Sequence, residues 1–304
     1  MARSVLITGA SQGGIGDHLS QEFHKRGFQV FATARSLSKV EHLKKLGITT
    51  IELDVTSLES IKAAVKVVAV ASGSRLDVLV NNSGVVYSIP VLDTDISVAK
   101  DMFEVNYFGV LRVTQEFSPL VIAAKGSIIN MSSITGEFPN PYTSSYNASK
   151  AALSSLTDSI RLELSPFGVN VTTVRNSTPR ALRRRALTLR YRSLRAPWPQ
   201  ILCRIGSRLS SLRVSGPWSQ IFEKEAANYA TDSLYLPVKA KIQYIMDGSE
   251  LKAGAMDPAQ FARRVVDNAL KSNPEARLWY GTSSGLIWFM TTFFKHTFLA
   301  SSPL

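Results

Sequence analysis

Short apolar runs alternate with longer amphipathic stretches along most of the chain. The apolar runs predict strands at residues 4–10, 29–35, 49–55, 76–84, 126–133, 169–174 and 277–280. The amphipathic stretches predict helices, among them residues 57–70, 95–124 and 142–166, and another that begins at Asp257 and Pro258. Strands that alternate with helices form a parallel sheet covered by helices on both faces. The pattern therefore predicts a doubly wound α/β fold, and 304 residues with 45% apolar content suffice for a single domain of that kind.

The net charge of +12 is unevenly distributed along the chain. Eleven arginines lie between residues 175 and 213, a segment without Lys, Asp or Glu, so the rest of the chain is nearly neutral. A strongly basic total invites a nucleic-acid or membrane-surface interpretation. Because the charge is confined to one segment, we expect no nucleic-acid partner for the protein as a whole.

Cysteine and histidine usage argues against a disulfide framework and against a metal site. Cys203 is the only cysteine, which excludes an intramolecular disulfide and fits a reducing compartment. The four histidines, His18, His24, His42 and His296, lack the spacing of metal ligands. We therefore expect a cytoplasmic protein without a metal.

A glycine-rich turn follows the first predicted strand and precedes a helical pattern that starts at Asp17. Residues 5–16 read V-L-I-T-G-A-S-Q-G-G-I-G. Glycines let the backbone approach a pyrophosphate, and the N-terminus of the next helix offers free N–H groups and a positive dipole end. This arrangement predicts a Rossmann-type dinucleotide site, formed by Gly9, Ser11, Gly14, Ile15 and Gly16.

The end of the second predicted strand bears on the choice of dinucleotide. NAD-binding folds usually place an acidic residue there for the ribose 2′-hydroxyl, whereas an arginine can accommodate a 2′-phosphate. The strand ends here at Arg35, with no acid beside it. We therefore expect NADPH or NADP as the cofactor, and the alternative is that Arg35 is a solvated loop residue.

Tyr146 and Lys150 lie in the stretch S-S-Y-N-A-S-K, where a helix is predicted. Side chains four residues apart on a helix emerge on the same face, about one turn from each other. A neighbouring ammonium favours the phenolate, so the pKa of Tyr146 is expected to fall below its usual value of about 10. Tyr146 would then serve as a proton donor near neutral pH, although a solvated helical pair has the same spacing.

These two residues fit the Y-x-x-x-K motif of the short-chain dehydrogenase/reductase family, which the chain also resembles elsewhere. Ser133 follows the apolar run I-I-N-M and precedes Tyr146 by the family's usual interval. The resemblance implies that Ser133 orients a substrate carbonyl, that Tyr146 delivers the proton, and that Lys150 binds the nicotinamide ribose. Asn106, in F-E-V-N-Y-F-G-V, resembles the family's fourth catalytic residue, which holds a proton-relay water.

Two further residues receive roles from the resemblance. Asp54, in I-E-L-D-V, matches the aspartate that contacts adenine in the family. Asn81 matches the family's N-N-A-G motif, with Ser83 in place of the alanine, and such an asparagine is either a clasp of the sheet or a cofactor contact. The helix that carries Asn106 often pairs with another subunit in the family, which implies a homodimer.

The Arg-rich segment 175–213 departs from the family pattern. Family members have a short loop here, whose backbone and hydroxyl hold the nicotinamide carboxamide, and most connections have only about 4–6 residues. Joining Val174 directly to Val214 gives N-V-T-T-V-V-S-G-P-W, which resembles that loop and places Ser215 in the hydroxyl position. We therefore interpret the segment as an in-frame insertion, most simply a retained intron. The alternatives are an Arg-rich lid or nucleic-acid-binding arm and a surface loop.

The C-terminal segment 285–304 begins with an apolar, aromatic-rich run, G-L-I-W-F-M-T-T-F-F. Its mainly apolar part is shorter than the roughly 20 residues that cross a bilayer. Such a run is typical of an interfacial helix, so we expect peripheral contact with the endoplasmic reticulum or a lipid-droplet surface. The alternative is a tail that packs on its own domain or on a dimer partner.

Together these features predict an NADPH-dependent oxidoreductase that reduces a ketone to a secondary alcohol. The longer glycine turn and residues 233–242 resemble the fungal 1-acyldihydroxyacetone-phosphate reductase branch of the family. That resemblance implies a lipid-like carbonyl substrate and lysophosphatidic acid as the product. The alternatives are another ketone, such as a polyketide, terpenoid or steroid intermediate, and a catalytically silent NADP-binding protein.

Overall fold

A seven-stranded sheet, parallel throughout, forms the centre of the fold. The computed structural model describes residues 2–177, 233–238, 240 and 256–281. The strands lie in the order β3-β2-β1-β4-β5-β6-β7. They are β1 (Ser4–Ile7), β2 (Gln29–Ala34), β3 (Thr49–Glu52), β4 (Val78–Asn81), β5 (Ser127–Ser133), β6 (Asn170–Ser177) and β7 (Arg277–Gly281).

Helices cover both faces of the sheet, which confirms the predicted doubly wound architecture. Within the described residues they are α1 (Ile15–Lys25), α2 (Glu41–Lys44), α3 (Leu58–Ser72), α4 (Ile96–Phe103), α5 (Gly109–Ala124), α6 (Ser144–Leu164) and α7 (Pro258–Ala269). Side-chain oxygens of Ser57 and Asp257 cap α3 and α7 by accepting backbone N–H groups, as N-cap residues do.

Two apolar layers, one on each face of the sheet, hold these helices. Successive residues of a strand point to opposite faces. Ile7 of β1 therefore packs in a cluster with Phe23 of α1 and Phe261 of α7, whereas Leu6 packs in the opposite cluster with Phe117 of α5. All five side chains are buried, and each such burial stabilises the fold by roughly 1.5–3 kcal/mol.

The long helical pattern at residues 95–124 is interrupted at Asn106. A π-helical turn, Glu104–Phe108, lies between α4 and α5 and contains this residue. Such turns are rare and frequently occur at functional sites. The sequence therefore predicts the helical course correctly but misses the π turn that contains Asn106.

Strand β6 extends three residues beyond its predicted end, through Arg175 to Ser177. Arg175 and Asn176 pair with both neighbouring strands, and Ser177 pairs with β7. The Arg175 side chain is 3% exposed and forms an ion pair with Glu137 at 2.9 Å. Its guanidinium also lies 4.9 Å from the centroid of the Trp279 ring. Arg175 is the first arginine of the Arg-rich segment in the sequence, but in the structure it is part of the sheet.

The strand order reverses between β1 and β4, and the segments after these two strands contact each other. The Asn82 side chain donates to the carbonyls of Thr8 and Gly9, both at 2.9 Å. A Cβ added to Gly9 would lie 2.9 Å from the Ser83 hydroxyl oxygen. Open α/β sheets bind ligands at such a reversal, beyond the carboxyl ends of the strands. The fold therefore places the predicted dinucleotide site at this edge.

Several predicted features lie outside the described residues. These are Ser215, the Arg-rich segment from residue 178 onward, and the tail at 285–304. Among the described residues, no helix combines the length and the apolar character needed to cross a membrane. The same part of the chain contains no group of three His, Cys, Asp or Glu side chains that could hold a metal ion.

Candidate active site

Strand β5 and helix α6 bring Ser133, Tyr146 and Lys150 together. Ser133 is the last residue of β5, and the segment after it returns tightly against α6. A Cβ added to Gly136 would lie 2.8 Å from backbone atoms of Lys150 and Ala151, so this close approach requires glycine. Tyr146 and Lys150 share one face of α6, as their spacing predicts, with the Lys150 Nζ 5.8 Å from the centroid of the tyrosine ring.

The Ser133 hydroxyl has a fixed orientation at the end of its strand. Its oxygen accepts hydrogen bonds from the backbone N–H and the hydroxyl of Thr135, at 3.2 and 3.1 Å. A further hydrogen bond joins Ser133 to Tyr146. Both Thr135 bonds use the serine oxygen as an acceptor, so the Ser133 proton stays available to a nearby oxygen atom. This is the property that the family resemblance requires of a carbonyl-orienting serine.

The pKa of Tyr146 does not follow the prediction. Burial of the phenol raises its pKa above the ordinary value of 10, and the hydrogen bond with Ser133 opposes this only in part. The predicted lowering by Lys150 is wrong because desolvation of the phenolate is the largest effect. A raised pKa keeps Tyr146 protonated at neutral pH, and a proton donor must start in that state.

Lys150 is a buried amine, and the residue is only 6% exposed. Its Nζ donates to the Met131 carbonyl at 2.9 Å, so β5 positions the ammonium. Burial lowers the pKa of Lys150 from an ordinary 10.5 to about 8, since a buried charge loses its hydration. Lys150 therefore carries its charge at neutral pH and loses it within a moderately alkaline range.

Asn106 anchors the segment that follows β4 to the active-site helix. Its Oδ1 accepts the Val85 N–H at 2.8 Å, and its Nδ2 donates to the Val85 carbonyl at 2.9 Å. Its Nδ2 also donates to the Ser149 hydroxyl at 3.1 Å. A Cβ added to Gly84 would lie 3.3 Å from the Asn106 Oδ1 and 3.5 Å from the Lys150 Nζ. The π turn thus places Asn106 close to Lys150. The proton-relay role of Asn106 stays a prediction.

The glycine turn fits the anionic part of a dinucleotide. Gly9 adopts a φ of +69°, and the Ser11 carbonyl accepts the Gly14 N–H at 3.0 Å. Helix α1 then begins at Ile15 without a side-chain cap on its N-terminus. The N–H groups of a first helical turn lack partners within the helix and attract anions. Ile15 and Gly16 would therefore hold the pyrophosphate.

Gly16 also fits because of its close packing. A Cβ at this position would lie 2.5 Å from the Gly9 carbonyl oxygen and 2.6 Å from the Asn82 Nδ2. Only glycine lets α1 start this close to the end of β1. The turn and the helix N-terminus consequently stay near the sheet edge where the active site lies.

Arg35 and Asp54 lie where an adenosine group is predicted, after β2 and β3. Arg35 is exposed, and within the described residues no hydrogen bond or ion pair holds its guanidinium. The Asp54 Oδ1 accepts the backbone N–H and the hydroxyl of Thr56, at 2.9 and 2.8 Å, which fixes its carboxylate. Their contacts with a cofactor stay predictions.

Asn81 has the contacts of a structural clasp. Its residue is 2% exposed, and its Nδ2 donates to the Asn130 Oδ1 at 2.8 Å and to the Thr114 hydroxyl at 3.2 Å. Asn130 continues the network by donating to the Thr157 hydroxyl at 2.9 Å. These bonds join β4 and β5 to α5 and α6 and engage the Asn81 amide nitrogen within the fold.

Asp17 lies beside the glycine turn, although it is not one of the residues of the glycine motif. Its Oδ2 accepts the Gly13 N–H at 2.7 Å, and the residue is 3% exposed. An acid directly after the last glycine is also common as a simple helix-dipole partner, so the sequence offers only a weak signal for a larger role.

Comparisons with known proteins agree with this geometry. The family model described as short chain dehydrogenase matches residues 3–179. The short-chain dehydrogenase PC-15 of Penicillium crustosum is 38% identical over 305 residues, which cover 99% of this chain and 96% of that protein. The NADPH-dependent 1-acyldihydroxyacetone phosphate reductase of Schizosaccharomyces pombe is 42% identical over 170 residues, which cover 56% of this chain and 57% of the relative.

A solved structure shares the fold over nearly its whole length. A short-chain dehydrogenase from Streptomyces avermitilis matches with a TM-score of 0.70, covering 99% of this chain and 94% of its own, at 24% identity. The family match spans more than half of the chain, and PC-15 is matched almost from end to end. The protein belongs to the short-chain dehydrogenase/reductase family, and it is an oxidoreductase of the kind that binds a nicotinamide cofactor.

Proposed function

We propose that the protein reduces a ketone to a secondary alcohol with NADPH. The observation that carries this proposal is the grouping of Ser133, Tyr146, Lys150 and Asn106 beside a glycine turn with an uncapped helix N-terminus. When bound, NADPH supplies the hydride. The protein's own residues hold the carbonyl, exclude water and deliver the proton.

The protonation states of Tyr146 and Lys150 at neutral pH favour reduction. Burial raises the pKa of Tyr146, so its phenol is protonated at neutral pH and can donate to the developing alkoxide oxygen. The Ser133 hydroxyl donates to the same oxygen and holds the carbonyl in place. Lys150 is charged below a pKa of about 8 and stabilises the tyrosinate that remains after proton transfer. A positioned acid contributes about 10²–10⁴-fold to such a rate.

The preference for NADPH over NADH rests on the end of β2. Arg35 is exposed there, and no acid takes the place that a ribose 2′-hydroxyl would require. The S. pombe relative is described as NADPH-dependent, which supports the same choice.

The proposed substrate is 1-acyldihydroxyacetone phosphate, the compound named for the S. pombe relative. Apolar side chains are exposed on segments near the site, in particular Leu92 (68%) after β4 and Leu234 (79%) in residues 233–238. The two segments are linked because the Ser233 hydroxyl donates to the Asp93 carboxylate. Tyr235 of the second segment contacts Tyr142, which lies two residues before α6 begins. Exposed apolar surface beside a catalytic group suits a substrate with an acyl chain.

A second substrate class fits the same surface. A polyketide, terpenoid or steroid ketone would also bury apolar area against Leu92 and Leu234, and it would need no phosphate. A panel of 1-palmitoyl-dihydroxyacetone phosphate, a β-ketoester and a ketosteroid separates the two classes.

The test measures NADPH oxidation with each ketone of that panel. The loss of NADPH absorbance reports the rate. Tyr146→Phe removes the proton donor and is expected to lower kcat by at least about a hundredfold. Tyr280→Phe is a matched control, because Tyr280 lies on β7 against Phe261 of α7. Turnover of only the β-ketoester or ketosteroid would reassign the substrate. NADPH binding without turnover of any ketone would favour a catalytically silent NADP-binding protein.

A further inference from the structure

A buried carboxylate next to the glycine turn is held by donors from three parts of the chain. The Asp17 Oδ2 accepts the Gly13 N–H at 2.7 Å. The Oδ1 accepts the Gln21 Nε2 at 2.8 Å and lies 2.9 Å from the His42 Nε2. The Asp17 side chain is 5% exposed, and a buried carboxylate needs such partners because burial without them is costly.

The three donors differ in what they connect. Gln21 lies one turn further along α1, so its bond stays within one helix. His42 lies on α2, in the segment that follows Arg35, so its bond joins that segment to α1. The His42 Nδ1 is buried and has no hydrogen-bond partner in the described part of the chain. Nε2 is therefore the nitrogen that fixes the ring.

A backbone bond reinforces the same connection. The Gln12 N–H of the glycine turn donates to the Lys39 carbonyl at 3.0 Å, two residues before α2 begins. The turn and the segment after β2 are consequently tied together twice, by a main-chain bond and by Asp17 with His42. These segments carry the predicted contacts with the pyrophosphate and with the 2′-phosphate.

The Asp17 contact also anchors the longer glycine turn. The turn reads T-G-A-S-Q-G-G-I-G, one residue longer than the family's usual T-G-x-x-x-G-I-G. Gly13 has a φ of +76°, and glycine adopts this conformation without steric cost. Its N–H donates to Asp17, so the longer turn closes back onto α1.

We propose that Asp17 and His42 form a positioning pair that holds the longer glycine turn in the shape that binds the adenosine half of NADPH. The pair acts through the backbone at Gly13 and touches neither substrate nor the reacting atoms. This inference rests on the proposed cofactor, but its structural half does not, because the pair should order the turn whether or not a dinucleotide is bound.

Two readouts test the pair on the full chain. Amide hydrogen exchange without cofactor reports the turn directly: His42→Leu should speed exchange at residues 9–16, where Gly13 lies. The affinity for NADPH, measured by fluorescence titration, should fall about tenfold in the same variant, which corresponds to about 1.4 kcal/mol. The KM for the ketone and kcat at saturating NADPH should stay unchanged, because the site around Tyr146 is not touched.

Matched variants separate positioning from general loss of stability. His42→Gln keeps a side-chain N–H donor and should restore both readouts toward the wild-type values. Gln21→Met removes a donor to the same Asp17 oxygen without cutting the link to α2, so NADPH affinity should stay within about twofold. Asp17→Asn weakens the pair from its other side and serves as the test if His42→Leu fails to fold.

The proposal for Asp17 and His42 can be overturned in two ways. Wild-type exchange and NADPH affinity in both His42→Leu and Asp17→Asn would overturn the proposal, as would equal losses in His42→Gln and His42→Leu. Faster exchange in a protein that binds no NADPH even as wild type would refute the proposed cofactor and leave the pair's structural role standing.

Discussion

Lys150 offers a direct test of how the active site is built, because its charge should cost the fold stability. In the folded protein burial lowers its pKa from 10.5 to about 8, so the unfolded chain binds the proton more tightly than the native one. Stability therefore rises with pH between these two values, because the slope follows the excess of protons bound by the unfolded state. At neutral pH Lys150 is charged in the native state, so the whole free-energy cost of burying this charge lowers the stability of the fold.

The size of the effect follows from the same values. The lowered pKa corresponds to roughly 3 kcal/mol of lost stability at pH 7. Lys150→Met removes the charge with a side chain of similar length, and it also removes the bond to the Met131 carbonyl, which contributes about 1.5–3 kcal/mol. We expect the variant to be up to about 1.5 kcal/mol more stable than wild type at pH 7, and less stable at pH 10. It should have little reductase activity.

Denaturant unfolding at pH 7 and pH 10 measures this difference directly. Lys66→Met is the matched control, because Lys66 is exposed on α3 and the same substitution there should leave the pH dependence of stability as in wild type. Contributions from groups far from position 150 cancel in this comparison, so the difference between wild type and Lys150→Met reports the buried amine and its effect on the neighbouring Tyr146. A difference that stays constant from pH 7 to pH 10 would refute the reasoning.

Three other predictions follow from particular residues. Arg35→Leu should weaken NADPH binding by about 10–100-fold and leave NADH binding unchanged, and equal losses for both cofactors in a fluorescence titration would contradict a 2′-phosphate contact. Asn81→Leu should lower the free energy of unfolding by about 2 kcal/mol, since it strips a donor from Asn130 and Thr114; a large change in NADPH affinity instead would assign Asn81 to the cofactor. Sequencing the mature transcript should show no codons for residues 175–213, and their presence would refute the retained intron.

The sequence predicts those features of the fold and of the site that depend on the periodicity of apolar residues and on the spacing of motif residues. The alternation of strands and helices gives the parallel sheet, and the interval of four residues places Tyr146 and Lys150 on one face of α6. Ser133 falls at the end of β5, where the apolar run stops. These features depend on local geometry, which neighbouring residues determine.

The remaining features depend on contacts between distant residues, and no local pattern reports them. The π turn at Asn106 is fixed by bonds to Val85, 21 residues away. The pKa of Tyr146 is set by burial, whereas spacing reports only the nearby charge of Lys150. Likewise, the Asp17–His42 contact spans 25 residues, and neither residue type in the sequence signals that Asp17 is buried.

Arg175 shows how such distant contacts bear on the Arg-rich segment. By composition it is the first arginine of that segment, yet it pairs with Ser132 of β5 and Trp279 of β7 in the sheet and forms an ion pair with Glu137. In a chain that joined Val174 to Val214, the three positions from Arg175 to Ser177 would be filled by Val214, Ser215 and Gly216. A valine in place of Arg175 suits a buried strand position without an ion pair, because it brings no charge to neutralise. The end of β6 can therefore be completed by either form of the chain, and the joined form would place Ser215 at the position of Asn176, which pairs with Ser133 in the sheet.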